Sequence, residues 1–228
     1  MPRYYPVYLD VQGRRCAVFG GNSEAERKVN YLLESGADVM FHAPASHTTG
    51  GLKAMAAAGK VAWRKRAYRK GDLEGAWLAI VADTTDPDRN ELVFREARER
   101  NVVLNVMDVP HLCTFIAPAV VQRKDVTVAV STGGASPALA RRLREEMSSP
   151  ACRCMRWAGV GPVLAAARRD IRSQKVVVCP DVWQELMTEQ WLTLAETKPV
   201  QAQKKVAAAL TARHCEDCAP FGRCQKHV

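Results

Sequence analysis

Arg14-Arg15-Cys16-Ala17-Val18-Phe19-Gly20-Gly21-Asn22-Ser23-Glu24-Ala25-Glu26-Arg27-Lys28 passes from an apolar run through a glycine pair into charged, helix-favouring residues. It predicts a strand, a tight turn and a helix. Two glycines let the backbone turn sharply and come close to a ligand. The helix that follows offers unpaired N–H groups and a partial positive charge to a phosphate. That is the physical basis of a dinucleotide site. Laid on Gly20, the G-x-G-x-x-G/A fingerprint finds Asn22 where its second glycine should be and Ala25 at its third.

Around this stretch the chain alternates. Tyr5 to Val11 reads as a lead-in strand, and from Glu24 to Ser35 the apolar positions Ala25, Val29, Leu32 and Leu33 recur at helical spacing until Gly36. A strand from Asp38 to His42 ends without the carboxylate that in many NAD-binding folds holds the ribose hydroxyls. The pattern continues with a helix near His47 to Ala58 and strands near Val61 to Arg64 and Trp77 to Ala82. A long helix follows from Asp86-Pro87 to about Arg100, then a strand from Val102 to Val106. Alternation of this kind predicts an α/β fold with a parallel sheet, ligands sitting beyond the carboxyl ends of the strands. The segments ending at Gly20, Asp83 and Asp108 are expected to converge on one crevice.

After Pro110 the pattern changes. Phe115 to Gln122 and Val126 to Ser131 are β-rich and joined by Arg123-Lys124-Asp125, which reads as a hairpin. Ser131-Thr132-Gly133-Gly134-Ala135-Ser136-Pro137 then leads into a helix, with Ser136 a good N-cap and Pro137 suited to the first helical position. This is a second candidate anion site. Past Ser148-Ser149-Pro150, helices are expected at Val160 to Ser173, Pro180 to Leu194 and Val200 to Arg213. Val176 to Cys179 reads as an extended link.

At 228 residues and 47% apolar composition, the chain can hold one sizeable core and a smaller second unit. No apolar run approaches the roughly 20 residues that span a bilayer, and the first residues lack a signal-peptide core. The reading is therefore cytoplasmic, without membrane association. The +9 charge is spread along the chain: residues 1–149 carry 21 Lys/Arg against 17 Asp/Glu, and residues 150–228 carry 12 against 7. Its short groups, Arg64-Lys65-Arg66 and Arg141-Arg142-Leu143-Arg144 among them, have few aromatics interleaved for base stacking. A multiply anionic small molecule accounts for them as well as a polynucleotide does, and the partner expected is such a molecule and no nucleic acid.

Taken together, the segments from about Tyr4 to Met147 resemble the siroheme-synthase family of precorrin-2 dehydrogenases, some of which are also sirohydrochlorin ferrochelatases. Three ordered motifs carry the resemblance: Gly20-Gly21-Asn22-Ser23-Glu24-Ala25-Glu26-Arg27-Lys28; Asn105-Val106-Met107-Asp108 with Pro110, followed by Phe115-Ile116-Ala117-Pro118; and Ser131 to Pro137 running into Ala138-Leu139-Ala140-Arg141. The resemblance implies NAD-dependent oxidation of precorrin-2 to sirohydrochlorin, with metal insertion into the product as a further activity. It implies a Rossmann-like NAD-binding domain over 1–114, a β-rich dimerisation and tetrapyrrole-binding segment over 115–148, and a helical domain over 149–228. Asp108 matches the catalytic aspartate. The cofactor is expected on Gly20, Gly21, Asn22, Ser23, Glu24 and Ala25, and on Ala82, Asp83 and Thr84. The anionic tetrapyrrole is expected on Asn105, Thr132, Gly133, Gly134, Ser136 and Arg141. A homodimer is expected.

Two departures bear on function. The family loop usually reads Gly-Gly-Gly with an apolar residue two further on; an Asn side chain at 22 tolerates the left-handed conformation a glycine would adopt but takes space near the pyrophosphate, where Glu24 adds negative charge. The two residues together predict weaker NAD binding, or none. Second, Cys215-x2-Cys218-x5-Cys224-x2-His227, outside the family pattern, offers three thiolates and an imidazole, a set that suits Zn²⁺ or an iron–sulfur cluster. These departures keep an alternative open: a chelatase, or a tetrapyrrole-binding regulatory module with a degenerate NAD site and a metal-binding tail.

Overall fold

Strand β1 (Arg15–Phe19) is buried from Cys16 onward, as a continuous apolar run must be when both faces of its sheet are covered. Its alternate residues enter two different cores. Cys16 and Val18 pack with Ala25, Val29 and Leu32 of α1 (Ser23–Glu34) and Leu52 of α2 (Gly50–Ala57). Ala17 and Phe19 pack with Val93 and Ala97 of α3 (Pro87–Glu99). The computed structural model describes residues 4–213, and the chain divides into two units after Ala117, with Gly133–Ala135 counted with the first.

The first unit is a Rossmann-like sheet. With β2 (Asp38–His42), β3 (Ala62–Arg64), β4 (Leu78–Val81) and β5 (Val103–Val106), the strands lie in the order β3-β2-β1-β4-β5, and every pair is parallel. The chain moves outward from β1 to β3 and returns to β4 on the other side of β1. The strand order therefore reverses between β1 and β4, the place where open α/β sheets bind ligands. Register aligns Phe19 with both His42 and Val81, and Val81 with Val106, so the carboxyl ends of four strands share one edge.

Two local expectations are corrected. Tyr5 to Val11 joins neither sheet, and Tyr5, Val7 and Tyr8 are exposed. Its β-favouring composition reflects suitability for a half-buried pleated surface that is not offered to it. The helix expected from His47 is two pieces, a 3₁₀ turn at Ala45–His47 and then α2, which restarts where Thr49 Oγ1 accepts from the Leu52 N–H at 3.3 Å.

The second unit begins with the antiparallel pair β6 (Ala119–Arg123) and β7 (Val126–Val130), joined at Lys124-Asp125 with Lys124 at φ +52. The first of these strands starts later than Phe115, beyond Pro118, which has no N–H to give a ladder. Helix α4 (Pro137–Ser148) follows, then α5 (Gly161–Ser173), α6 (Pro180–Leu186), α7 (Glu189–Thr197) and α8 (Pro199–Thr211). The single helix expected over Pro180 to Leu194 is broken because Thr188 caps a new one, its Oγ1 accepting from Trp191 N–H at 3.2 Å. A threonine hydroxyl competes with the helix interior in this way. The helical core gathers Ala167 and Ile171 of α5, Trp191 and Leu192 of α7, and Val206 and Leu210 of α8. Trp191 is buried with its indole N–H donating to the Ala202 carbonyl at 3.3 Å, which meets the polar requirement of an interior tryptophan.

Candidate functional site

At the carboxyl end of β1 the chain turns at Gly20, whose φ of +133 only glycine adopts readily. A Cβ there would lie 2.9 Å from the Asp83 nitrogen. At Gly21 a Cβ would meet the His47 carbonyl, the Ala43 side chain and the Thr48 hydroxyl. Both glycines thus permit close approach of the loop to neighbouring chain. Asn22 does not use the left-handed conformation: at φ −77 and ψ 179 it is the extended N-cap of α1. Its Oδ1 accepts from Ala25 N–H at 2.9 Å, and its Nδ2 donates to the Ala82 carbonyl at 3.2 Å. The carboxamide is engaged with backbone at both ends, and the amides of Ser23 and Glu24 have no intrahelical acceptor. The Glu24 carboxylate is folded back onto Arg27, accepting from its Nε at 3.1 Å and also from its Nη2.

Across the edge, the loop after β4 is tightly held. Asp83 Oδ1 accepts from the Thr85 hydroxyl at 2.6 Å and from Thr85 N–H at 3.2 Å, while Arg89 donates to the Asp83 carbonyl at 3.0 Å. Burial raises the Asp83 pKa, but the Thr85 bonds and the charge of Arg89 leave it below the ordinary carboxylate value. The Thr84 carbonyl accepts from the buried Asn90 at 3.1 Å.

The end of β2 holds a residue that the sequence marked only as a missing carboxylate. His42 is buried against the Phe19 ring, 4.9 Å between centroids. Its Nδ1 lies 3.3 Å from Asp72 Oδ2 without hydrogen-bond geometry, because Asp72 is turned to Arg66 in a bidentate pair of two 2.7 Å bonds. Burial pushes the His42 pKa down to about 4, against the opposing charge of Asp72. Arg66 is thus engaged within the fold, and Lys65 lies over the Trp63 ring.

Asp108 stands immediately past β5, exposed, at φ +59. An aspartate tolerates that conformation better than most residues. The turn is closed by Val109 N–H donating to the Val106 carbonyl at 3.2 Å, and Met107 N–H donates to Val81 at 3.0 Å. Lys28, on α1, senses this carboxylate: burial and Arg27 push its pKa down, while Glu24 and Asp108 pull it up. Lys28 had no assigned role in the sequence reading, although its place one residue before the buried Val29 was a usable signal. Asn105 is buried, and its Nδ2 donates to the Phe115 carbonyl at 3.0 Å. Its side chain therefore positions the strand's return segment.

In the second segment, Thr132 Oγ1 donates to the Ser136 carbonyl at 3.1 Å and accepts from Ser136 N–H at 3.0 Å. Ser136 Oγ accepts from Leu139 N–H at 3.2 Å as the N-cap of α4. Gly133 and Gly134, at φ +62 and +88, have open space where a side chain would be. Arg141 and Arg142 are exposed and pair along the helix with Glu145 at 2.8 Å and Glu146 at 2.7 Å, exposed i,i+4 pairs that contribute little to stability. The tail ligands Cys215, Cys218, Cys224 and His227 lie outside the described residues. Among the described residues no cluster of three metal-ligating side chains occurs, and no helix is long and apolar enough to cross a membrane.

Comparison with known proteins fits this geometry. A family described as "Putative NAD(P)-binding" matches residues 7–119, and one described as "Sirohaem biosynthesis protein central" matches residues 123–149. The siroheme synthase of Methylobacillus flagellatus is 36% identical over 205 residues, 88% of this chain and 43% of that protein. That of Nitrosococcus oceani is 40% identical over 147 residues, 64% of this chain and 31% of that protein. The chain thus spans less than half the length of these curated relatives. Among solved structures, "SirC, precorrin-2 dehydrogenase" superposes with a TM-score of 0.71 at 23% identity, covering 90% of this chain and all (100%) of that one. That likeness establishes the fold.

Proposed function

Because this chain belongs to the siroheme-synthase family, we propose that it oxidises precorrin-2 to sirohydrochlorin with NAD as the hydride acceptor. The observation that carries the reading is the pairing of the Gly20-Gly21 turn with an exposed aspartate on the same sheet edge. The residues fit a dinucleotide: the turn carries no side chain at Gly20 or Gly21, the Asn22 carboxamide is engaged with backbone, and the first amides of α1 are open to an anion. NAD when bound supplies the acceptor for the hydride that leaves the macrocycle. Gly20 through Ala25 and the Ala82-Asp83-Thr84 loop would hold it.

Asp108 takes the proton that is lost as conjugation extends. A positioned general base contributes typically about 10² to 10⁴-fold. The same carboxylate suits removal of a pyrrole N–H proton during metal insertion, which is the second activity in this proposal. The tetrapyrrole's carboxylates are assigned to the open Gly133-Gly134 turn and to Arg141, which would exchange its Glu145 partner for substrate. Thr132 and Ser136 keep that turn in shape, and Asn105 acts by placing Phe115. The enzyme is proposed to be cytoplasmic and homodimeric, with the β6–β7 hairpin as the dimer contact, since a two-stranded sheet is marginal unless covered. The Cys/His tail is assigned Zn²⁺ or an iron–sulfur cluster on its ligand set alone, and metal analysis of anaerobically purified protein decides that point.

The deciding assay supplies precorrin-2 with NAD, with NADP or with neither, and follows sirohydrochlorin and reduced dinucleotide. Formation of both with NAD supports the dehydrogenase. Iron or cobalt insertion into sirohydrochlorin without any dinucleotide, and no turnover of precorrin-2, would make the chain a chelatase.

A further inference from the structure

Cys152 and Cys154 flank Arg153 at the 3₁₀ turn Arg153–Met155 of the second unit, and their Sγ atoms are 2.6 Å apart. Cys154 is exposed and Cys152 half-buried, so both can be reached by a small reagent. The separation lies inside van der Waals contact and near the length of a sulfur–sulfur bond, about 2.05 Å. Two thiolates sharing a zinc ion, each about 2.3 Å from the metal, would stand farther apart. The surroundings add charge: Arg123, at the end of β6, has an Nη1 that is shut off from solvent without a hydrogen-bond partner, and its guanidinium acts on both sulfurs.

We propose that Cys152 and Cys154 are a thiol–disulfide redox pair whose reaction partners are low-molecular-weight disulfides. The Cys152 thiolate attacks one sulfur of R–S–S–R. A Cys152–S–S–R bond forms, the original disulfide breaks, and RS⁻ leaves with the electron pair. Cys154 then loses its proton and attacks Cys152 Sγ, expelling the second RS⁻. The protein dithiol is oxidised by two electrons, the small disulfide is reduced to two thiols, and the two cysteine protons end on them.

The order of attack follows from the local hydrogen bonds. The Cys154 side chain holds the Cys152 pKa below the ordinary thiol value against the cost of burial. The backbone N–H groups of Cys154 and Met155 and the charge of Arg123 act in the same direction. Cys154 is pushed up by Cys152 and by burial. The two backbone N–H groups that reach Cys152 assign the first attack to it and the resolving step to Cys154. The remaining described cysteines are poor competitors: Cys16 is buried with its pKa raised to about 11 by burial and Asp38, Cys113 is raised by burial, and Cys179 is buried.

The test treats the full chain with glutathione disulfide at neutral pH, alkylates the remaining thiols and maps peptides by mass spectrometry. The expected result is a 152–154 segment lighter by two hydrogens, with neither alkyl group nor glutathione. In Cys154→Ser a glutathione adduct should persist on Cys152. In Cys152→Ser the reaction at Cys154 should be several-fold slower than that at Cys152 in Cys154→Ser. Recovery of both cysteines alkylated in the unaltered chain, or joined to cysteines elsewhere in it, would overturn the proposal.

Discussion

Asn22 donates from its Nδ2 to the carbonyl oxygen of Ala82 at 3.2 Å while its Oδ1 caps α1. One side chain therefore ties the first turn of α1 to the end of β4, across the point where strand order reverses. Asn22→Ala is expected to cost about 1 to 2 kcal/mol. Asn22→Ser should recover the capping share of that loss, because its hydroxyl can accept from the same amide. Urea unfolding of the three proteins checks the order.

Gly20 and Gly50 make a matched pair. Alanine at Gly20 would be strained at φ +133 and pressed on the Asp83 backbone, whereas at Gly50 nothing lies within 4 Å of the added carbon. Gly20→Ala should lose about 1 to 3 kcal/mol together with saturable NAD binding. Gly50→Ala should be neutral or slightly stabilising. Calorimetric titration with NAD and thermal melting of both variants separate the two effects.

Asp108→Asn should leave the fold and NAD affinity as they are, since asparagine accepts φ +59 as readily as aspartate. Precorrin-2 turnover should fall by about 10² to 10⁴-fold. An unchanged rate would show that this carboxylate is not the base.

His42 sets an acid limit on stability. Its folded pKa of about 4 lies below its ordinary 6.5, so between these values the unfolded chain binds a proton that the folded chain refuses. Stability is full above about pH 6.5 and falls as pH drops toward 4, by about 3 kcal/mol in all. His42→Leu should flatten that slope when unfolding is measured at several pH values across the window. The Asp72, Arg66 and Arg64 charges that face the imidazole stay in place in the variant.

Asp125 anchors the second unit locally. Its Oδ2 accepts from Gly161 N–H at 2.8 Å, and its Oδ1 from Gly159 N–H, fixing the start of α5 to the hairpin turn. Asp125→Ala should cost about 1 to 3 kcal/mol, the loss of charge-assisted bonds to backbone amides. The Tm shift, with hydrogen exchange localised to 159–165, would report it.

The parallel sheet was legible because its signals are local. Apolar runs such as Cys16 to Phe19 and Leu78 to Val81 are bounded by glycine, proline and capping residues that act on the nearest turn. That Asp108 follows the end of a strand was legible from the apolar run before it. The conformation of Asn22 was not, because its partner Ala82 is sixty residues away and a hydrogen bond at that distance leaves no periodic trace. His42 was read only for the carboxylate it lacks, since burial against Phe19 depends on strand register. Thr188 shows the opposite failure: its capping chemistry was visible in the letters, but an amphipathic run on both sides concealed the break.

The extended backbone at Asn22 separates the loop into fixed and replaceable letters. Gly20 and Gly21 are required by the space around them, but the third position asks only for a short side chain able to accept an amide. Serine, threonine or aspartate would meet that demand, and glycine would leave the amide without its side-chain acceptor. A search pattern written as three glycines would pass over such chains, whereas one that demands two glycines followed by any capping residue would retrieve them.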